Sequence, residues 1–462
     1  MLKFIAKIKK PTMKKTIISS ILTCASVFTF AQDATKPATP DVKFPEFKKN
    51  LNEDGSHYIK FTTVAQFWSR YSDLNPGTKI NGQSTEPFDI GIRRLRFSVF
   101  SQLTDRVFFY AQFGQNNFNY TSTLQAGSFV HDAVGEYKVM KNGTFTLGTG
   151  LTGWSGLTRF SAPAVGSILG VDAPLYQQAT NNVTDQFLRK LSIYAKGQIG
   201  KIDYRFAISK PTLAGNALQP NADINAKNAT FNTLSSKIQT QGYVSYQFFD
   251  KENNTLCYTA GTYHGKKKIL NLGAGFISQN RANWIYGDAI KKDTVYSNML
   301  LLGTDVFMEI PLSEKRNAVT AYVAYTNYQM GKNYIRNVGV MNPIPAGQPN
   351  NTGTLNSNGV GAPMVGTGNT LFAQFGYKFK DNLLPNNGSL QPYASIQYSK
   401  YDALKDAMQV YEAGINWLIN GTHNSKITLG YQSRPIYTKD TNGEWVNSSR
   451  KGMAVLQYQV SF

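Results

Sequence analysis

The sequence predicts an all-β protein, a 16-stranded antiparallel transmembrane β-barrel with long external loops. Three observations support this fold class: an apolar export signal, long segments in which apolar and polar residues alternate, and a shortage of charge. Only 16% of the 462 residues are charged, against about 25% in typical soluble domains. The 26 Tyr, 28 Phe and 39 Gly argue against wholesale disorder. After the export signal, no stretch approaches the ~18–20 consecutive apolar residues that a spanning helix needs.

The N-terminus has the pattern of a secretory signal peptide. From Met13, which is an alternative start, two lysines precede an apolar run that ends at Phe30. Ala31 is the small residue expected before the cleavage site. Cys24 raises the alternative of a lipoprotein, which the preceding Thr23 disfavours. The predicted division is a signal peptide over 1–31, an exposed periplasmic segment over 32–56 and a barrel over 57–462.

The rest of the chain alternates between apolar and polar residues with a period of two. In residues 57–71 the odd positions include Phe61 and Phe67, whereas the even positions include Lys60 and Arg70. Such two-faced segments are typical of antiparallel strands. Many are about 10–13 residues long, which suits a tilted membrane strand better than a sandwich strand of about 5–6 residues. In lipid, only a closed barrel satisfies every backbone group of a sheet. The sixteen predicted strands cover 57–71, 88–101, 106–116, 130–139, 143–151, 188–198, 201–210, 238–249, 267–277, 298–310, 317–330, 369–379, 389–400, 409–418, 425–433 and 451–462.

The connections between these strands alternate, imperfectly, between short and long. Short periplasmic turns and long external loops are the asymmetry of bacterial barrels, and an even strand count places both chain ends on the periplasmic side. The segment 251–266 disturbs the pattern, because 256–263 is apolar enough to form a seventeenth strand. We interpret it as an irregular periplasmic connection. The long connections are predicted at 72–86, 151–187, 211–237, 331–368 and 435–450.

The chain ends in a seven-residue alternating segment that finishes with an aromatic residue, Phe462. This terminus resembles the signal that the barrel-assembly machinery of Gram-negative bacteria recognises. Tyr458 and Phe462 are therefore the predicted assembly signal, and the machinery is a predicted partner during biogenesis.

The charge balance predicts an anion-attracting lumen. The chain carries 48 basic and 28 acidic residues. Removing 1–31, with its six lysines, leaves a net charge of +14. The basic residues are spread along the strands and do not form a stripe, which argues against a nucleic-acid partner. Rings of Arg and Lys favour anions in a pore. The predicted pore-lining residues are Lys60, Arg70, Arg94, Arg96, Lys190, Lys196, Arg205 and Lys378.

Pairing across neighbouring strands is the alternative for these charges. We favour pairing for Asp203 with Arg205 or Lys201, and a pore-lining role for Arg94 and Arg96, which have no acidic residue nearby in the sequence.

Two pairs of segments resemble a known family. Residues 90–97 (IGIRRLRF) and 107–114 (VFFYAQFG) look like the second and third strands of the phosphate-selective porin O and P family. Residues 261–268 (GTYHGKKK) and 271–276 (NLGAGF) resemble its members from Bacteroidota. The resemblance implies a sixteen-stranded homotrimer in outer-membrane lipid and lipopolysaccharide, whose third external loop folds inward.

That loop corresponds here to 152–187, with Arg159 on the constriction. The implied function is passive diffusion of small hydrophilic or anionic solutes. Since Arg159 is the only basic residue of this loop before Arg189, we expect a modest anion preference and not strict phosphate selectivity.

Other classes of function receive little support from the sequence. None of the four histidines has metal-ligand spacing or a Ser or Cys partner pattern, so we expect neither an enzyme nor a cofactor. Cys257 is the only cysteine after the signal peptide, which excludes a disulfide framework. A structural or interaction barrel with a closed pore remains the alternative to a porin. An outer-membrane lipase is the remaining enzymatic alternative.

Overall fold

The computed structural model describes residues 46–80, 82–122, 127–154, 156–162, 164–212, 228–232, 237–259, 261–287, 293–342, 353–384 and 388–462. The predicted signal peptide and most of the segment 32–56 lie outside these residues. Two single turns of 3₁₀ helix, Val165–Ser167 and Leu175–Gln177, are the helical segments of the described part. No helix in that part is long and apolar enough to cross a membrane.

Sixteen antiparallel strands form one closed barrel. Each strand pairs with the next along the chain, and the last strand pairs with the first from Ser72 opposite Met453 to Val64 opposite Ser461. The predicted fold class and strand count are therefore confirmed. In chain order the strands are β1 Tyr58–Ser72, β2 Phe88–Gln102, β3 Val107–Asn119, β4 Phe129–Lys138, β5 Thr146–Thr152, β6 Lys190–Ile199, β7 Ile202–Lys210, β8 Gln239–Gln247, β9 Ile269–Tyr286, β10 Thr294–Pro311, β11 Ala318–Gln329, β12 Gly368–Lys378, β13 Ser389–Tyr401, β14 Met408–Leu418, β15 Ser425–Lys439 and β16 Trp445–Ser461.

The two faces of the barrel are polar inside and apolar outside. On β1 and β16 the amide of Gln66 donates to Gln459 Oε1 at 2.8 Å, and Trp68 Nε1 donates to Gln457 Oε1 at 2.6 Å. All four of these side chains are buried in the lumen. Buried polar groups need hydrogen-bond partners, so these cross-strand bonds are what a polar interior requires.

The outer face is an exposed apolar band. Large apolar side chains point outward on nearly every strand, and aromatic residues lie near its two ends, for example Tyr71 and Phe88 at one end and Tyr137 and Tyr246 at the other. Water-soluble proteins rarely expose continuous apolar patches larger than a few hundred Å². A closed sheet with an apolar band and aromatic ends is the form in which strands cross an outer membrane.

The three longest connections, 153–189, 211–238 and 330–367, all lie at one end of the barrel. We call the end with the long connections the loop end and the other the turn end. The turn end holds 103–106, 139–145, 200–201, 248–268, 312–317, 379–388 and 419–424, and the loop end holds 73–87, 120–128, 153–189, 211–238, 287–293, 330–367, 402–407 and 440–444.

Two connections and one edge of the barrel differ from simple turns. The segment 248–268, called T4, holds no strand among its described residues, so the alternative seventeenth strand does not form. The long loop predicted at 435–450 is instead an extended hairpin, because β15 and β16 pair as far as Lys439 and Trp445. The predicted exposed leader also contains a short strand, Phe47–Asn50, which pairs with the start of β1 where β16 has ended.

Candidate functional site

Three segments fold from the ends of the barrel into its lumen. They are the third loop 153–189 (L3) and the sixth loop 330–367 (L6) from the loop end, and T4 from the turn end. Leu157 and Tyr176 of L3, Tyr334 of L6 and Cys257 of T4 are all buried inside the barrel. The predicted inward-folded third loop is confirmed, whereas the inward course of L6 and T4 was not predicted.

Carboxylates on the wall hold L3 by its backbone. The amide N–H of Arg159 donates to Asp305 Oδ2 at 2.6 Å, and that of Val171 donates to Glu412 Oε1 at 2.7 Å. Loop backbone inside a lumen must find acceptors that water would otherwise supply. Acidic residues on the inner faces of β10 and β14 therefore fix the path of the loop.

Arg159 joins L3 to T4. Its Nη1 and Nη2 donate to the two carboxylate oxygens of Glu252, each at 2.6 Å, and the guanidinium lies 3.7 Å from the ring centre of Phe307. Glu252 also accepts from the Tyr263 hydroxyl at 2.7 Å. Burial raises the pKa of Glu252, but Arg159 outweighs burial and holds that pKa below its usual value. Arg159, which was predicted on the constriction, is thus a buried link between two inward segments.

T4 is also bonded to the wall. Asn254 Nδ2 donates to Asp203 Oδ2 at 2.6 Å, and Gln198 Nε2 donates to the carbonyl of Glu252 at 2.8 Å. Lys196 donates to the carbonyl of Thr255. These polar wall groups satisfy T4 in an irregular conformation, which explains why its apolar stretch does not become a strand.

Two histidines distant in the sequence meet beside T4. The rings of His264 and His423 are 4.2 Å apart, centre to centre, and His423 Nε2 lies 2.6 Å from Thr262 Oγ1. Burial lowers the pKa of His264 to about 3, with a further contribution from Lys426. Burial lowers the pKa of His423 well below its usual value, and the neighbouring His264 contributes further to this lowering. Both rings are therefore neutral near pH 7. The described residues hold no group of three or more His, Cys, Asp or Glu placed for a metal ion.

A cavity of about 440 Å³ follows the inner wall of β1–β3. It extends from Thr62 and Phe100, near the turn end, to Asn117, near the loop end. None of its described lining residues is acidic, whereas five are arginines: Arg93, Arg94, Arg96, Arg189 and Arg336. This arginine-lined cavity is the candidate functional site.

A β-bulge brings two neighbouring arginines to the same face. Gln66 of β1 pairs with Arg94, but Phe67 pairs with Ile92, so Arg93 is an extra residue in β2. A bulge interrupts the alternation of faces, and both guanidinium groups enter the lumen. Strict alternation places Arg93 in lipid, where a charge is costly. That conflict was the signal in the sequence that could have revealed the bulge.

Two carboxylates balance part of this positive charge. Asp172 of L3 accepts from Arg93 Nε and from Arg94 Nη2, each at 2.6 Å, and Asp132 accepts from Arg189 Nη2 at 3.2 Å. Burial alone would raise the pKa of Asp172, but Arg93 and Arg94 lower that pKa to about 2. Among the described residues, the five guanidinium groups thus have two carboxylate partners between them, both buried behind the cavity surface.

The other predicted pore-lining residues lie in ion pairs outside the cavity lining. Arg70 pairs with Asp89 at 2.6 Å, deep in the wall. Arg205 pairs with Asp203, the pairing that the sequence favours. The remaining pairs are Lys60 with Glu46 at 2.7 Å, Lys190 with Asp185 at 3.5 Å, Lys196 with Glu136 at 2.7 Å and Lys378 with Asp381 at 2.5 Å. Of the eight residues, the structure brings only Arg94 and Arg96 to the cavity.

The predicted assembly signal lies at the seam of the barrel. Phe462 exchanges two backbone hydrogen bonds with Thr63, at 2.9 and 3.1 Å. Tyr458 points outward and stacks on Phe67, with ring centres 6.5 Å apart. The last residues of the chain therefore complete the closure between β16 and β1.

Comparison with known proteins supports this architecture. No family model and no curated protein sequence matches the chain. Among solved structures, OmpF of Salmonella typhi in complex with daunomycin is similar, with 9% identity, 89% of this chain and 99% of that chain covered, and a TM-score of 0.50. The high-pH structure of Pseudomonas putida OprB has 9% identity, coverage of 87% and 94%, and a TM-score of 0.50. The outer-membrane channel DcaP of Acinetobacter baumannii has 12% identity, coverage of 89% and 99%, and a TM-score of 0.46. The closed sheet and its exposed apolar band make the chain a multi-pass β-barrel of the outer membrane, and its fold is similar to that of porins.

Proposed function

We propose that this protein is a porin through which small hydrophilic solutes diffuse passively, with a modest preference for anions. The observation that carries the proposal is the cavity beside β1–β3, which is lined by five arginines and by no acidic residue of the described chain. It extends along most of the height of these strands, as a permeation path would.

The expected preference follows from the fixed charges of the cavity. Rings of Arg favour anions in a pore, and low-dielectric walls focus the field of a few charges. Two carboxylates offset part of the positive charge of the arginines, so we expect the anion preference to be modest. Salt screens fixed charges over about 10 Å at 0.1 M and about 3 Å at 1 M. The preference should therefore fade at high salt.

Reversal potentials in asymmetric KCl across a planar bilayer test the proposal. We expect chloride to be preferred over potassium at low salt. The change Arg94→Gln with Arg96→Gln should reduce this preference while the barrel stays folded. A matched control removes two exposed turn-end charges, Lys141→Gln with Lys315→Gln, and should leave it unchanged. A cation-selective channel, or a double variant with its full anion preference, contradicts the proposal.

A structural barrel with a closed pore is the second candidate. The observation that favours it is the number of inward segments, because L3, L6 and T4 all occupy the lumen. Folded barrels that stay electrically silent after reconstitution would favour this candidate over the porin.

The remaining sequence predictions belong to the same proposal. The protein would be exported by the signal peptide over 1–31, inserted by the barrel-assembly machinery of a Gram-negative bacterium of the Bacteroidota, and assembled as a homotrimer. Its apolar band would contact outer-membrane lipid and lipopolysaccharide, with the long loops outside. Cross-linking in native membranes, followed by mass measurement, tests the trimer. The specific likeness to the phosphate-selective porin O and P family also stays a prediction.

A further inference from the structure

We infer that the arginine-lined cavity binds small organic anions that carry an apolar group, such as aromatic or branched monocarboxylates, in preference to phosphate or acetate. The inference rests on the proposed function and names the class of solute that the site favours. The cavity has two chemically different sides, and a ligand of this class matches both.

Arg96 offers a charged group that has no carboxylate partner among the described residues. Its side chain is only 5% exposed, and its Nη1 bonds to the carbonyls of Leu95 and Gln115 at 3.4 and 3.1 Å. Within the described chain, this guanidinium thus donates to backbone carbonyl oxygens. Arg94 lies two residues away on the same strand face, about 7 Å along it. A carboxylate accepts well from such fixed guanidinium forks.

Arg336 of L6 adds a second such group at the loop end. It is 4% exposed, and its two Nη atoms donate to the carbonyls of Asn181 and Ala179 at 3.0 and 2.7 Å. Its Nε has no hydrogen-bond partner among the described residues. A buried guanidinium with an unsatisfied donor beside a cavity favours occupation of that cavity by an anion.

The opposite side of the cavity is apolar. Leu175 and Phe187 from L3, Leu256 from T4, and Val338 and Met341 from L6 line it. Four of them, Leu175, Phe187, Leu256 and Val338, are only half-buried. The inward segments that narrow the lumen thus place aliphatic and aromatic side chains facing arginines of the wall.

The size and the two sides of the cavity select the ligand. A volume of about 440 Å³ lies within the range of about 300–1,000 Å³ typical of small-molecule sites. Inorganic phosphate would leave the apolar side in contact with water, and acetate would cover little of it. An aryl or branched alkyl group covers this side and releases its water, which is favourable in proportion to the area covered.

Binding and current block with four probes test the inference. The probes are benzoate, acetate, inorganic phosphate and the neutral benzamide, compared at equal ionic strength. We expect benzoate to reduce the chloride current with a half-blocking concentration about tenfold below that of acetate, as burial of part of a ring allows. Benzamide should have no effect. Calorimetric titration of the detergent-solubilised barrel with the same probes reports binding without requiring conduction.

Variants separate the two sides of the site. Leu175→Ser with Val338→Ser should bring the half-blocking concentration of benzoate to within about twofold of that of acetate, since it removes apolar surface from the cavity. Leu312→Ser, on an exposed turn, is the matched control and should keep the tenfold ratio. Arg96→Gln should weaken the binding of both benzoate and acetate.

Equal affinities for benzoate and acetate, or tighter binding of phosphate, overturn the inference and leave the porin proposal standing. Benzoate that binds in calorimetry to a barrel that does not conduct supports the inference and contradicts the porin. An absence of benzoate binding in calorimetry overturns the inference whether or not the channel conducts.

Discussion

Replacing Glu252 by Gln should loosen the attachment of T4 to L3. The carboxylate of Glu252 accepts from both Nη atoms of Arg159, from the Tyr263 hydroxyl and from the Asn271 amide. Glutamine keeps the size of the side chain but removes its charge. The amide nitrogen of glutamine would also point its N–H donors at neighbouring groups that are themselves donors. Arg159, fully buried, would then keep its positive charge without the carboxylate that balances it.

The size of the effect follows from the burial of the pair. Breaking a buried ion pair by removing one partner costs about 3–5 kcal/mol. Since a factor of ten corresponds to about 1.4 kcal/mol, the population with T4 displaced should rise by about two to four orders of magnitude. Changing both partners, Glu252→Gln with Arg159→Met, removes the unbalanced charge and should recover much of this loss.

Cys257 provides the assay. It lies in T4, only 2% exposed, and it is the only cysteine outside the predicted signal peptide. Burial raises the pKa of its thiol to about 12, so the seated thiol is unreactive. Maleimide labelling of the folded barrel in detergent therefore reports displacement of T4. When T4 returns to its place faster than the thiol reacts, the labelling rate is proportional to the population in which T4 is displaced.

We expect Glu252→Gln to accelerate the labelling of Cys257 by about a hundredfold or more. Single-channel conductance should rise at the same time, because T4 lines the turn end of the cavity through Leu256. Glu314→Gln, on the exposed turn 312–317, is the matched control and should label at the wild-type rate. A labelling rate of Glu252→Gln within twofold of wild type would refute the role of this ion pair.

Three further predictions follow from the fold. Deleting Phe462 should reduce the amount of heat-modifiable barrel in the outer membrane, because its two backbone bonds help to close the seam; wild-type levels would contradict this. An epitope near Asn351 should be accessible on intact cells and one near Asn386 hidden; both positions lie outside the described residues, but the segments that contain them join strands at opposite ends of the barrel, and reversed labelling would overturn the orientation. His264 and His423 stay neutral in the fold, and the unfolded chain binds their protons below a pKa of about 6.5. The thermal stability should therefore fall as the pH drops from about 6.5 toward 3, and His423→Gln should weaken this dependence.

The sixteen strands and their two faces could be predicted because the alternation is local. A strand turns successive side chains to opposite faces, so the sequence of β1, with Phe61 and Phe67 on one face and Lys60 and Arg70 on the other, already separates lipid from lumen. Strand length and even count then favour a closed barrel. Strand ends were less certain where hairpins extend, as in β15 and β16, because pairing continues past the apolar band.

The positions of the charged groups could not be predicted in the same way. Strict alternation assigned Lys378 and Arg205 to the pore, but their ion pairs with Asp381 and Asp203 hold them in the wall. Alternation predicts on which face of the strand a side chain lies, but it does not predict the ion-pair or hydrogen-bond partner of that side chain. A charged side chain that points into the lumen can form an ion pair with a neighbour on the barrel wall instead of facing the water of the pore.

By itself, the sequence determined the class, the strand count and the inward placement of Arg94 and Arg96. The tertiary structure alone decided the shape and chemistry of the site. It placed Asp172 against Arg93 and Arg94, some 79 and 78 residues away along the chain, and it folded T4 and L6 into the lumen. These contacts join segments that share no local pattern. They form because buried backbone and charged groups inside a closed wall must find partners on whichever strand lies opposite.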